Sequence, residues 1–281
     1  MKKAYSIKLF LPSGEADGLR TIEKSNWTGA GLLIPRPQLG EAKGRREMSR
    51  TGVYILMGPA EEAGLPRVYV GEGDPIRPRL ESHQINKDFW TVCIAFTSKD
   101  ENMNKAHVQY LEARLVEMAK KAKRCVLDNG NTPALPSLSE SDMADAEGFL
   151  AEMMLCLPVL GVSVFTPAAL PPANGTILFA TGKGFQAEGL ETHDGFLVRA
   201  GSTTAPQESA GCPAHLKELR SALLGNGVLK LAGDQIVFTQ DYEFPSPSTA
   251  AGVAFGRSSN GRTEWKTKGG RTLKELQEAT G

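Results

Sequence analysis

The sequence has no charge excess: 32 lysines and arginines stand against 32 aspartates and glutamates in 281 residues. That balance excludes a general electrostatic pull onto nucleic acid or an anionic membrane, so any such affinity must come from local patches. Cysteine is scarce. Cys93, Cys125, Cys156 and Cys212 lie far apart and none belongs to a C-x-x-C pair, which argues against a zinc ribbon or a redox motif. Each sits among apolar residues, as expected of a reduced thiol acting as a small hydrophobe in the cytoplasm. No apolar run reaches the length of a membrane span. The opening "MKKAYSIKLFLPSGE" has too short an apolar stretch for a signal peptide. Aromatic residues make up 7%, and only five are tyrosines.

What remains is a soluble composition, 41% hydrophobic and 23% charged, long enough for two domains. Residues 4–10, 18–24 and 30–36 read as short strands of a β-rich N-terminal extension, 1–48, too small to fold well alone. Residues 52–57 and 67–71 read as a hairpin, joined by "GPAEEAGLP". Asp74 and Pro75 read as cap and first turn of a helix, "PIRPRLESHQ", whose start is blurred by Pro78. A buried strand is expected at 89–96, a long helix at 104–123 and another near 140–156. The segment "GVSVFTPAALPPANGT" breaks the composition and ends a domain of 49–160. Beyond it, 161–281, strands are expected at 176–180, 195–199 and 234–239, and helices near 213–224 and 247–254. The fold class is therefore α+β.

Two of the five tyrosines stand beside glycines in the hairpin, in "GVYILM" and "RVYVG". In paired strands Tyr54 and Tyr69 can share one face, and the glycines allow close approach of a ligand or a neighbouring element. Such a pair is most often plain core. Arg79 and His83 are four apart in "RLESH" and share a helix face; a solvated pair is the ordinary reading, a guanidinium gripping phosphate the functional one. On a wheel of the 108–122 helix, Glu112 falls inside the apolar sector, flanked by Val108, Leu115, Val116 and Ala119. A carboxylate there needs a metal, a cation or a hydrogen-bonded cluster. A structural ion pair with an arginine would also satisfy it. Two phenols, a guanidinium, an imidazole and an out-of-place carboxylate together suit phosphodiester hydrolysis.

These residues resemble the GIY-YIG nuclease superfamily over about residues 49–135. "GVY" stands for the first signature and "YVG" for the second; Arg79 follows Tyr69 by ten residues and opens "RLxxH"; Glu112 lies in "YLEARL". Asn129 in "LDNGN" best matches the asparagine that often follows, with Asn131 the competing choice. The resemblance implies a small mixed three-stranded sheet flanked by helices, and a metal-dependent endonuclease whose expected substrate is DNA. It implies Mg²⁺ or Mn²⁺ on Glu112, Arg79 on the scissile phosphate, and Tyr54 or Tyr69 as base or water-positioning group. His83 would support Arg79 or a proton transfer, and Asn129 would brace the site. The family often carries Lys or Ser where this chain has Glu72 in "GEG". A binding or regulatory protein that kept the fold without the chemistry is the alternative. Cutting both strands with one site would favour a homodimer or sequential nicking.

The C-terminal sequence, "STAAGVAFGRSSNGRTEWKTKGGRTLKEL", resembles a domain of unknown function that trails such nucleases in prokaryotes. Between Gly256 and Glu275 six basic residues, Arg257, Arg262, Lys266, Lys268, Arg271 and Lys274, stand against Glu264 and Glu275. Arg257, Arg262, Lys266, Lys268 and Arg271 could track a phosphate backbone and Trp265 could offer a stacking face. A solvated hairpin with Trp265 packed on the core is the competing reading.

Overall fold

The computed structural model describes residues 4–59, 65–100, 102–167, 175–193 and 195–280. Residues 60–64 of the expected hairpin connection and 168–174 of the expected domain boundary lie outside them. The chain divides into two compact units, one running to Pro59 and resuming over Pro66–Phe165, the other running from Thr166 onward.

The first unit is built on seven strands: β1 (Ile7–Phe10), β2 (Arg20–Lys24), β3 (Gly29–Pro35), β4 (Gly52–Gly58), β5 (Arg67–Gly73), β6 (Val92–Ser98) and β7 (Val126–Leu127). Their order in the sheet is β1-β2-β3-β6-β4-β5-β7. Only β5–β7 is parallel; the other neighbours run antiparallel. The expected sheet of three strands is thus too small. Seven pair because β3 registers along the whole of β6, from Gly29–Ser98 to Pro35–Val92, so the N-terminal strands continue the sheet that holds both tyrosines.

Four helices belong to this unit: α1 (Leu39–Ala42), α2 (Arg77–Asn86), α3 (Lys105–Ala122) and α4 (Glu140–Cys156). They cover both faces, which is why β4 reads as an unbroken apolar run rather than an alternation. Val53, Ile55, Val68, Val70 and Phe96 pack with Leu111, Leu115, Val116 and Ala119 of α3 and with Leu150 and Met153 of α4. Tyr54, Leu56, Cys93 and Ala95 pack on the opposite face with Ile76, Leu80 and Trp90. The period of two along β4 therefore assigns Tyr54 to the α2 side. Helix α2 starts at Arg77, later than Pro75, and Asp74 does not cap it. Ile76 takes the cap position, while Asp74 accepts from Thr51 Oγ1 at 2.6 Å. Pro78 then falls in the first turn, where no backbone hydrogen bond is lost. Asn104 caps α3 by accepting from the backbone N–H groups of Ala106 and His107.

The second unit holds two sheets. Strands β8 (Leu178–Gly182), β9 (Phe185–Glu191), β10 (Phe196–Val198) and β14 (Tyr242–Phe244) are ordered β14-β10-β9-β8; β11 (Thr203–Thr204), β12 (Leu229–Ala232) and β13 (Gln235–Phe238) are ordered β11-β13-β12. Helices α5 (Ala214–Gly225), α6 (Pro247–Phe255), α7 (Gly261–Glu264) and α8 (Leu273–Thr280) complete it. Arg220 of α5 is fully buried, and its guanidinium donates to Glu208 and to the carbonyls of Ala205 and Val253. Both units mix helix and sheet, so the chain is α+β. No helix among the described residues is long and apolar enough to cross a membrane.

Candidate active site

Tyr54 of β4 lies directly opposite Gly71 of β5, and Tyr69 stands two residues along on the same face. The two rings are diagonal neighbours, with centroids 6.4 Å apart. Gly71 has to be glycine for this: a Cβ there would sit 2.4 Å from the Tyr54 hydroxyl. His83 of α2 closes the group, its ring 4.9 Å from Tyr69 and 5.7 Å from Tyr54. Its Nε2 shares a 2.8 Å hydrogen bond with the Tyr54 hydroxyl, the donor being set by the imidazole tautomer. Arg79, one turn earlier on α2, is exposed. Among the described residues it makes no hydrogen bond and no ion pair, so its guanidinium is free for a ligand.

The charges act on one another. Burial raises the Tyr54 phenol far above its ordinary 10, with Tyr69 and Cys93 adding to the shift, Arg79 opposing it and Glu112 adding again. Burial and then Glu112 raise Tyr69, and Arg79 again opposes. Neither phenol is ionised at neutral pH. His83 is lowered to about 4 by burial, then by Lys87 and Arg79, so the imidazole is neutral at pH 7 and a weak base.

Glu112 rides on α3, which packs against β4 and β5, and it is only partly exposed while Val108, Leu115, Val116 and Ala119 around it are buried. It has no hydrogen bond or ion pair among the described residues. Burial lifts its acid to about 7; the Glu72 carboxylate adds to this, and Lys105 and Arg79 oppose it. Its charge reaches both tyrosines, although α3 and the tyrosines belong to opposite faces of the sheet. Glu72 is 8% exposed, and Lys105 Nζ grips both of its oxygens at 2.5 and 2.6 Å. The unusual carboxylate after the second tyrosine is therefore neutralised internally. No group of three His, Cys, Asp or Glu side chains that could hold a metal occurs among the described residues. A partly buried carboxyl group without a side-chain partner among the described residues suits a hard cation of the Mg²⁺ kind, which keeps most of its waters and takes one or two protein oxygens.

Asn129 grips the backbone of β5. Its Oδ1 accepts from Val70 N at 3.0 Å and its Nδ2 donates to Val70 O at 2.8 Å. The side chain thus extends the β5–β7 pairing by one rung, beside Tyr69 and Gly71. Asn131 is exposed and makes no such bond. Three further residues escaped the sequence reading. Asp128 accepts from Arg67, at 2.9 Å from its Nε, and from Lys87 at 2.5 Å, and Lys87 Nζ lies 4.3 Å from the Tyr69 ring centre. Lys105 is the third. Only Lys105 left a signal: it stands seven residues before Glu112, two turns back on the same helix face.

The basic run of the second unit is partly committed. Trp265 is fully buried, its Nε1 donates to Pro247 O at 3.0 Å and its ring lies 4.5 Å from Phe196. It offers no stacking face, because the short turn of α7 folds it inward against α6. Arg257 pairs with Glu264 at 2.8 Å, and Arg262 donates to Gln277 at 2.8 Å. Lys266, Lys268 and Arg271 are exposed, and the first two line a cleft of about 610 Å³ with Phe179 and Glu188. No curated protein and no solved structure matches the chain. Residues 178–277 match the family model described as Domain of unknown function (DUF4357), which is compatible with the resemblance read in the C-terminal sequence.

Proposed function

We propose that the first unit is a divalent-metal-dependent endonuclease of the GIY-YIG kind, acting on DNA. One observation carries the reading: Glu112, a partly buried carboxyl group, and Arg79, neither with a side-chain partner among the described residues, share their field with Tyr54 and Tyr69. Within the seven-stranded sheet, β6-β4-β5, flanked by α2 and α3, would serve as the small sheet of such a nuclease. Arg79 grips the scissile phosphate and neutralises charge that grows on it. Tyr69, partly exposed, orients the attacking water. Tyr54, fully buried, holds neutral His83 beside Tyr69 through their 2.8 Å hydrogen bond. Asn129 holds β5 in register. Glu112 would hold Mg²⁺ or Mn²⁺, whose contribution when bound is Lewis-acid stabilisation of the phosphate oxygens.

The test is nicking of supercoiled plasmid in Mg²⁺ or Mn²⁺. The parent should form open circles, and Glu112→Gln or Arg79→Ala should slow this by about 10²–10³-fold, the usual cost of one electrostatic group. Equal nicking by parent and Glu112→Gln would discard the assignment. A second reading, a nucleic-acid binder without cleavage, is favoured by Lys105, whose ammonium already lies within the field of Glu112. Plasmid binding by the parent without nicking in either ion selects it.

A further inference from the structure

The alternation that buries Trp265 turns its neighbour Lys266 outward. Lys266 pairs with Phe179 of β8, each peptide N–H donating to the other residue's carbonyl, at 2.7 and 3.0 Å. On its other side Phe179 pairs with Glu188 of β9. Residues paired across antiparallel strands share a face, so Glu188, Phe179 and Lys266 form one row. Thr181 and Gln186 are opposite each other two residues along on that face. Leu178, Ala180 and Ala187 point the other way and are buried. The outward residues, with Lys268 on the turn that follows Lys266, line the cleft of about 610 Å³. Two acids also line it, and each has its own arginine: Glu264 pairs with Arg257 at 2.8 Å and Glu188 with Arg199 at 3.4 Å. Lys266 and Lys268 are exposed and have no ion pair among the described residues. Thr181 and Gln186 are exposed as well, and their side chains make no hydrogen bond among the described residues. The cleft therefore holds two uncompensated cations and two free polar side chains around a partly exposed phenylalanine ring.

We propose that this cleft binds a single strand of nucleic acid, with one base stacked on Phe179 and the flanking phosphates on Lys266 and Lys268. A strand offers what the cleft lacks: flat rings for the aromatic face and anions for the ammonium groups. Gln186 and Thr181 both donate and accept, and would take the edge of the stacked base. A duplex keeps its bases stacked on one another and presents no base face to Phe179, so the strand is single. A free nucleotide would occupy one lysine and leave the other idle, whereas successive phosphates engage both. Two cations are a small charge, so the binding is weak and falls steeply with salt. This inference concerns the second unit alone and stands whether or not the first unit cleaves DNA.

The test is fluorescence anisotropy of labelled oligothymidylate and oligouridylate, each of about 12 nucleotides, titrated with the full chain in EDTA. Arg79→Ala serves as the background, because Arg79 is the phosphate contact proposed for the first unit. Binding of either strand supports the proposal and tells DNA from RNA. Phe179→Leu, which stays apolar and loses the ring, should weaken that strand about tenfold and leave a hairpin duplex unaffected. Lys266→Ala should lower the salt slope by about one, and Gln186→Ala should cost about fivefold. Melting temperatures should not change. If Phe179→Leu lowers its own, Lys266→Ala and Gln186→Ala, at exposed positions, decide. The proposal is overturned by no binding up to about 0.1 mM protein at low salt, by equal affinity in the folded variants, by an equal loss of the duplex, or by thymidine monophosphate competing at the oligomer's own concentration.

Discussion

The hydroxyl of Tyr54 lies 2.8 Å from Nε2 of His83, and the bond exists because Gly71, across the strand pair, leaves room for the phenol. Gly71→Ala puts a methyl group onto the hydroxyl. It should destabilise the first unit by about 1–3 kcal/mol, the usual cost of overpacking a tight core, and break the contact with His83. Urea unfolding checks the first effect and a His83 imidazole NMR shift the second. An Ala variant with unchanged stability and unchanged shift would show that the phenol is not confined.

Asn129 and Asn131 are separated by one glycine, yet only Asn129 completes two backbone bonds to Val70. Asn129→Ala should cost about 1–3 kcal/mol through unpaired backbone groups. Asn131→Ala, at the surface, should stay within about 0.5 kcal/mol of the parent. Equal effects in denaturant melts would reject the bracing role.

The two perturbed acids oppose each other in pH. Glu112 holds its proton in the folded state to about 7, against an ordinary 4.5. The unfolded chain releases that proton first, so this contribution falls as pH rises from 4.5 to 7. His83, lowered to about 4 from 6.5, behaves in the other sense: the unfolded chain is protonated first, and stability falls as pH drops from 6.5 to 4. Glu112→Gln should therefore match the parent near pH 4 and melt above it beyond pH 7. Added Mg²⁺ should reverse that order by stabilising the parent alone. A melting difference that is constant across pH would remove the raised acid.

Trp265→Ala should lose about 3–5 kcal/mol from the second unit, as large-to-small changes in a filled core do. Lys268→Ala and Arg271→Ala should leave stability unchanged. If the second unit touches nucleic acid, each should reduce the salt slope of binding by about one. Filter binding across salt concentrations reads this directly, and a slope indifferent to both removes these residues from any phosphate contact.

The sequence shows its helices more plainly than its sheet. Helix α3 was expected over 104–123 and spans Lys105–Ala122, because a long amphipathic pattern and a capping asparagine are local signals. Strand order is not local. Nothing within 1–48 announces that β3 would pair with β6 sixty residues away, and the expected sheet came out too small. The short strands β11, β12 and β14 carry too few residues for a period to register. In the candidate site, residues on regular elements were legible: Glu112 betrayed itself by breaking an apolar stripe. Lys87 and Asp128 are charged residues whose partners lie 41 and 61 positions off, and a lone charge announces no partner. Trp265 shows the converse error, since a tryptophan amid basic residues reads as a stacking platform until packing shows where the ring goes.

The strand order also bears on how the part that holds the tyrosines could be excised. Cutting the chain just before Gly52 would keep every residue of the tyrosine–arginine–glutamate group but remove β3 from beside β6. The bared strand, apolar along its length, would offer a row of unpaired peptide groups to any neighbouring chain. Such a fragment should precipitate, and the smallest self-sufficient piece must begin ahead of Arg20.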